Sequence, residues 1–282
     1  MAASVLFDEP GPRTRVRHRV YSVIFLLLLA VVVWWVVRRL VDSGVLNREV
    51  FEELSQENII RAFRLGIVAT LKAAALGISG ALVLGVLLAA ARLSDHTWAR
   101  WPARAFIELF RAIPLLLLII FLDIFLVGKI DNGIRPLAAL AIGLTIYNGT
   151  VLAEVFRAGI GAVPRGQAEA AYAIGLRKTQ VMSLILMPQA VRVMLPAIIS
   201  QCVIVLKDSS LGFVVVYMEL LRQSKLIADF VDNQLVTYSV AAAIYIVLNS
   251  ILGLVATWLE RRASRTGSRR AVEATEAVVP MT

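Results

Sequence analysis

The feature that most limits what this chain can become is a series of long apolar runs. From about Val20 to Val37 no charged residue interrupts the sequence, and comparable runs recur at about Phe63 to Ala91, Ala105 to Val127, Arg135 to Phe156, Ala190 to Leu206 and Leu235 to Leu259. Several of these approach or exceed the roughly 20 apolar residues that a helix needs to cross a bilayer. A chain of 282 residues that is 59% hydrophobic and 17% charged, with a mean hydropathy of +0.78, is therefore expected to be an all-α polytopic membrane protein with six transmembrane helices. The net charge of +9 does not point to nucleic acid, because in such a protein the surplus cations belong in cytoplasmic loops and tails.

The charges outside the runs fit that topology. Residues 1–19 form a basic tail with Arg13, Arg15, Arg17, His18 and Arg19, expected to be cytoplasmic. Residues 20–61 read as a first membrane helix followed by an outer loop. This helix is expected to stay uncleaved rather than act as a secretory signal, since the run is long, ends in Trp34-Trp35 and Arg38-Arg39, and lacks a small-residue cleavage site. Residues 42–61 lean acidic, which suits the outer side. Arg92, Arg100 and Arg104 mark a cytoplasmic loop before the third run, and Lys129, Asp131, Asn132 and Gly133 an outer turn after it. Residues 62–260 hold five more runs, and residues 261–282 are read as an unstructured, basic cytoplasmic tail. Both termini are thus expected inside, with a multi-pass placement in the cell membrane. In the second run Ala81, Gly85 and Ala89 recur at every fourth position, the pattern that lets helices approach closely in lipid. The single Cys202 excludes an intrachain disulfide, neither His18 nor His96 has metal-ligand spacing, and no phosphate-binding glycine loop occurs. If ATP drives this protein, another chain hydrolyses it.

Residues 154–188 are the longest polar-leaning interruption between two apolar blocks. Pro164, Arg165 and Gly166 open a short alanine-rich helix expected at Gln167 to Ile174, Gly175 stands at its C-cap, and a second short helix from Lys178 to Met187 is expected to end at Pro188. Ala168, Ala171 and Ile174 fall on one small-residue face, with Glu169 beside it, a pattern open to docking on another protein or to a plain solvated linker.

Glu169-Ala170-Ala171, Gly175, Ile185 and Pro188 resemble the "EAA" loop of ABC-importer permeases, with Met187 where a leucine usually precedes the proline. Arg111-Ala112-Ile113-Pro114, Glu154-Val155-Phe156-Arg157, Gly166-Gln167, Pro188-Gln189-Ala190 and Lys207-Asp208-Ser209-Ser210-Leu211 resemble the polar amino-acid subfamily, relatives of histidine and glutamine permeases, over roughly residues 60–260. The resemblance implies a type I five-helix core plus an extra N-terminal helix. It also implies a coupling loop at 157–188 whose Gly166, Gln167, Glu169, Ala170, Ala171 and Gly175 meet an ATPase subunit. The expected partners are ABC ATPase subunits, a second permease chain (homologous rather than identical), an extracellular substrate-binding protein and membrane lipid. ATP and magnesium are expected in the ATPase, with no cofactor and no catalytic residue in this chain. The N-terminal span and the Lys-Asp-Ser-Ser segment look like those of actinobacterial glutamate permeases, which implies glutamate or another acidic amino acid as cargo.

Polar groups at membrane depth are the candidates for the substrate path, because lipid does not tolerate them unpaired. They are Asp123, Thr145, Asn148, Glu154, Gln201, Lys207, Asp208, Ser209 and Ser210. For Asp123 a helix-end carboxylate near Lys129 is the competing reading, and for Glu154 the favoured one is an ion pair with Arg157 or Arg111. Two rival functions are an ion-coupled secondary carrier, which would want an internally repeated hydropathy pattern, and a membrane scaffold without transport.

Overall fold

The computed structural model describes residues 12–276, which are helical apart from turns and short connections. They divide into two units, one up to Gln56 and the other from Glu57 onward. In the first, α1 (Pro12–Asp42) is a single uninterrupted helix whose Val20–Val37 side chains are all exposed to the surroundings, as a helix sheathed in lipid requires. The short α2 (Arg48–Leu54) follows, capped by Asn47, whose Oδ1 accepts the Val50 amide at 2.9 Å. The basic residues of the tail before Pro12 lie outside the described residues.

The second unit is built around two long helices, α3 (Glu57–Arg92) and α6 (Arg135–Gly161). The small residues of α3 do what their spacing predicts. A Cβ on Gly85 would sit 2.9 Å from Cβ of Leu152 and 3.1 Å from the carbonyl oxygen of Gly149, and one on Gly77 would sit 2.8 Å from Cβ of Leu144. With dispersion rather than hydrophobicity driving association in lipid, this closeness is what holds the pair.

The third apolar run is not one helix. It is α4 (Thr97–Ala112) and α5 (Leu115–Phe125), bent by 102° at Ile113–Pro114. Pro114 cannot donate to a helical ladder and holds Ile113 extended at φ −83°, ψ 127°, so it breaks the run and stands at the N-cap of α5. Among the described residues five helices are long and apolar enough to cross a membrane, or six if the bent pair counts as one span.

Among the described residues, two apolar clusters run along α6. One joins Ala81, Ala89, Ile107, Leu152, Phe156 and Met194; the other joins Ala73, Leu115, Ile119, Leu140, Leu144 and Val205. Both draw on α9 (Met187–Asp208), which packs against α6. A 3₁₀ turn (Ser209–Phe213), α10 (Leu220–Val231) and α11 (Gln234–Glu276) complete the unit. Helix α11 carries the chain through most of the stretch read from sequence as an unstructured tail; residues 277–282 lie outside the described residues.

Candidate functional site

Between α6 and α9 the chain makes a knuckle. Helix α7 (Arg165–Ala173) begins after Pro164 and ends at Gly175, whose φ of +83° gives the left-handed turn that a C-cap glycine supplies without Cβ strain. The Leu176 amide returns to the Ala171 carbonyl at 3.2 Å and the Gly175 amide to that of Tyr172 at 2.9 Å. The expected docking face is only partly presented. Ala171 is 4% exposed and turned toward the chain's own next segment, whereas Gly166, Gln167, Glu169, Ala170, Tyr172 and Ile174 stand outward. A spacing argument could not separate these faces, because alanine fits both.

The second expected helix is also different. A three-residue turn, α8 (Lys178–Gln180), leads into a π-helical turn over Val181–Leu186, and the helix then runs on as α9. Pro188 therefore does not end a helix but stands in the first turn of α9, directly after the π-helical turn. Gln189 Nε2 donates to Gln167 Oε1 at 3.3 Å and ties α9 back to α7. Lys178 Nζ pairs with Asp95 on the α3–α4 connection, and this cation holds the exposed Asp95 carboxyl below the usual carboxylate range. Asp95 and Lys178 also line an apolar cavity of about 520 Å³, together with Val86, Phe156, Met182 and Met194.

At this same end of α6, Glu154 is held by two cations. Arg92 at the end of α3 binds its Oε1, and Arg157 Nε donates to Oε2 at 3.0 Å. The structural ion pair favoured from sequence is present with Arg157; Arg111 takes no part, and Arg92 was not foreseen. Asp123 likewise accepts from Arg135 Nε at 3.1 Å, joining α5 to α6, while Lys129 lies 3.2 Å from the ring centre of Phe125.

The structure brings two candidates together. Gln201 Nε2 donates to Asn148 Oδ1 at 2.6 Å, and Asn148 Nδ2 donates in turn to the Leu144 carbonyl at 3.0 Å. Thr145, three residues earlier, packs against Gly80 of α3. Ser209 is fully buried and donates to the Leu206 carbonyl at 2.7 Å. Asp208 beside it is partly buried. Lys207 and Ser210 instead line a cavity of about 730 Å³ with Tyr238, Tyr245, Asn249 and Ser250 of α11.

Next to that cavity lies a site that the sequence alone does not single out. Glu219, fully buried, accepts the Leu221 and Arg222 amides at 2.7 Å each and the Tyr245 hydroxyl at 2.7 Å. Thr70 of α3 accepts the Leu220 amide at 3.1 Å, and the Tyr217 hydroxyl donates to the Ala69 carbonyl at 3.0 Å. Glu219 thus caps α10 and fixes it between α3 and α11. The available signal was its position as the lone charge between Asp208 and Arg222 in an apolar stretch.

The sequence and the fold both have counterparts. A family model described as binding-protein-dependent transport system inner membrane component matches residues 81–265. The chain is 43% identical over 211 residues to the glutamate transport system permease protein GluD of Corynebacterium glutamicum, covering 74% of this chain and 77% of that one. It is 30% identical over 206 residues to the glutamate/aspartate import permease protein GltK of Escherichia coli, covering 71% and 92%. Among solved structures, an amino acid ABC transporter crystallised with histidines superposes with a TM-score of 0.67 at 29% identity, covering 74% of this chain and 97% of that one. The MetNI methionine ABC transporter superposes at 0.62 with 20% identity, covering 74% and 99%, a likeness of fold alone.

Proposed function

Because this chain belongs to the family of binding-protein-dependent transport system inner membrane components, a multi-pass protein of the cell membrane, we propose that it is the permease subunit of an ATP-driven importer of polar amino acids, with glutamate or another acidic amino acid as cargo. The observation that carries this reading is the knuckle at α7. It presents Gln167, Glu169, Ala170, Tyr172 and Ile174 outward from between two membrane helices, and it is braced by Gln167–Gln189 and Asp95–Lys178. A braced projection of this kind transmits movement, where a loose loop would absorb it. In this reading a separate ATPase subunit grips α7 and supplies the ATP and magnesium chemistry. The knuckle and both termini face the cytoplasm, in line with the basic residues around it. A binding protein delivers cargo to the opposite side.

The cavity lined by Lys207, Ser210, Tyr238, Tyr245, Asn249 and Ser250 supports the same reading, since it gives an amino acid both a cation and neutral hydrogen-bonding groups. The relatives named for glutamate transport support the acidic cargo. The transporter is completed by a second permease chain, a homologue rather than a copy of this one.

Reconstitution in liposomes with the ATPase and the binding protein tests this. Glutamate-loaded binding protein should stimulate ATP hydrolysis and drive uptake, and Glu169→Lys or Gly175→Pro should abolish the link between the two while the membrane domain stays folded. Uptake that follows an ion gradient without ATP would instead favour a secondary carrier, and unchanged cellular uptake after deletion of the chain would favour a scaffold.

A further inference from the structure

Arg111 stands at the break between α4 and α5, without an ion-pair partner among the described residues, and its depth follows from its neighbours. Ile107, one turn earlier, packs in one of the two clusters along α6, and Leu115, one turn later, packs in the other. At the far end of α5, Asp123 bonds Arg135 at the start of α6. Helical rise over the residues from Asp123 back to Arg111 is at most about 18 Å, against about 30 Å of hydrocarbon. With the Asp123–Arg135 pair at the outer edge of the hydrocarbon, Arg111 falls short of the inner edge.

Arg92, Arg104, Arg135 and Arg157 each hold a carboxylate. Arg111 makes no ion pair or side-chain hydrogen bond among the described residues and is exposed on this chain. Lipid does not accept an unpaired arginine there without a heavy cost. The break adds a second feature. The last carbonyls of α4 lose their helical partners at Pro114, and among the described residues no backbone amide from elsewhere reaches them. A cationic fork and a set of free carbonyl oxygens thus occur within one turn of each other, the complement of a molecule bearing a carboxylate and an ammonium.

We propose that Arg111 lines the substrate path and binds a carboxylate of the passing amino acid, with the carbonyl end of α4 taking its ammonium group. The inference rests on the importer reading above and adds a residue of the path that grips the carboxylate of its amino-acid cargo.

The test uses the assembled transporter in liposomes with its ATPase and binding protein. In a Cys202→Ser background, Arg111→Cys should react with an anionic, membrane-impermeant methanethiosulfonate, and glutamate should slow the reaction. In parallel, Arg111→Gln should lower kcat/KM for glutamate uptake by at least about tenfold, the loss expected for one charged hydrogen-bonding partner. The loss should fall mainly in KM, ATP hydrolysis stimulated by loaded binding protein should be retained, and Arg111→Lys should recover part of it. A cysteine that no aqueous reagent reaches, or glutamate uptake by Arg111→Gln equal to wild type, overturns the assignment. Failure of both variants to assemble also overturns it, marking Arg111 as a partner-chain ion-pair residue. A wild type that imports neutral but not acidic amino acids overturns the cargo reading alone. Arg111 is then judged by whether the neutral cargo protects the cysteine.

Discussion

Gln201 of α9 donates to Asn148 of α6 at 2.6 Å, and neither side chain is more than 8% exposed. Both residues are candidates for the substrate path, and in this chain their hydrogen bond ties α6 to α9. Replacing Gln201 with Leu leaves Asn148 Oδ1 buried without a donor and should cost about 1–3 kcal/mol. Asn148→Leu with Gln201→Leu should recover part of that loss, with a coupling of about 0.6–1.7 kcal/mol, the range found between helices in membranes. Thermal melts of the four variants in detergent give the cycle; strict additivity would dissociate the two residues.

The α3–α6 contact should be intolerant of bulk at one glycine and indifferent at another. Gly85→Val forces atoms against Leu152 and the Gly149 backbone and should cost about 1–3 kcal/mol by overpacking. Gly161→Ala meets nothing within 4 Å and should stay within about 0.5 kcal/mol of wild type. Melting temperatures, with size-exclusion profiles, read both.

Glu219 and Tyr245 join α10 to α11. Tyr245→Phe removes one of the donors to the Glu219 carboxylate and should destabilise by about 1–3 kcal/mol. Glu219→Leu should be worse, because it also strips the Leu221 and Arg222 amides of their acceptor. Hydrogen exchange across Leu220–Val231 should accelerate in both variants and in that order.

Glu154 sits between Arg92 and Arg157, so Glu154→Gln should leave two guanidinium groups facing each other without an anion. A structural role predicts that Arg92→Glu with Glu154→Arg restores more of the melting temperature than either change alone. A substrate contact predicts no such rescue, with uptake lost and stability unchanged.

The strap between Asp95 and Lys178 should respond to salt and acid. The Asp95 carboxyl is lowered by its lysine partner, so its contribution is present above the ordinary carboxylate value and disappears as pH falls below about 4. Because the pair is exposed, high salt should weaken it as well. Asp95→Asn should speed amide exchange in Val181–Leu186 at neutral pH and low salt to the rate that wild type shows in high salt; equal rates under all conditions would remove the strap from the account.

The apolar runs decided most of the architecture in advance. A stretch such as Val20–Val37 has no low-energy alternative to a lipid-covered helix, since every backbone polar group must be satisfied within the segment. The same holds for the Ala81, Gly85 and Ala89 stripe, whose spacing fixes one face whatever the neighbour. Gly175 too was legible, because a left-handed turn after an alanine helix asks for glycine. Tertiary structure alone decided which polar residues meet. Asn148 and Gln201 are 53 positions apart, Glu219 and Tyr245 are 26, and Arg92 and Glu154 are 62, and no local rule connects such pairs. It also decided that the chain bends at Pro114 while a span passes through Pro188. A proline only removes a donor and fixes its own backbone angle, and whether the chain bends or continues there depends on what packs on either side.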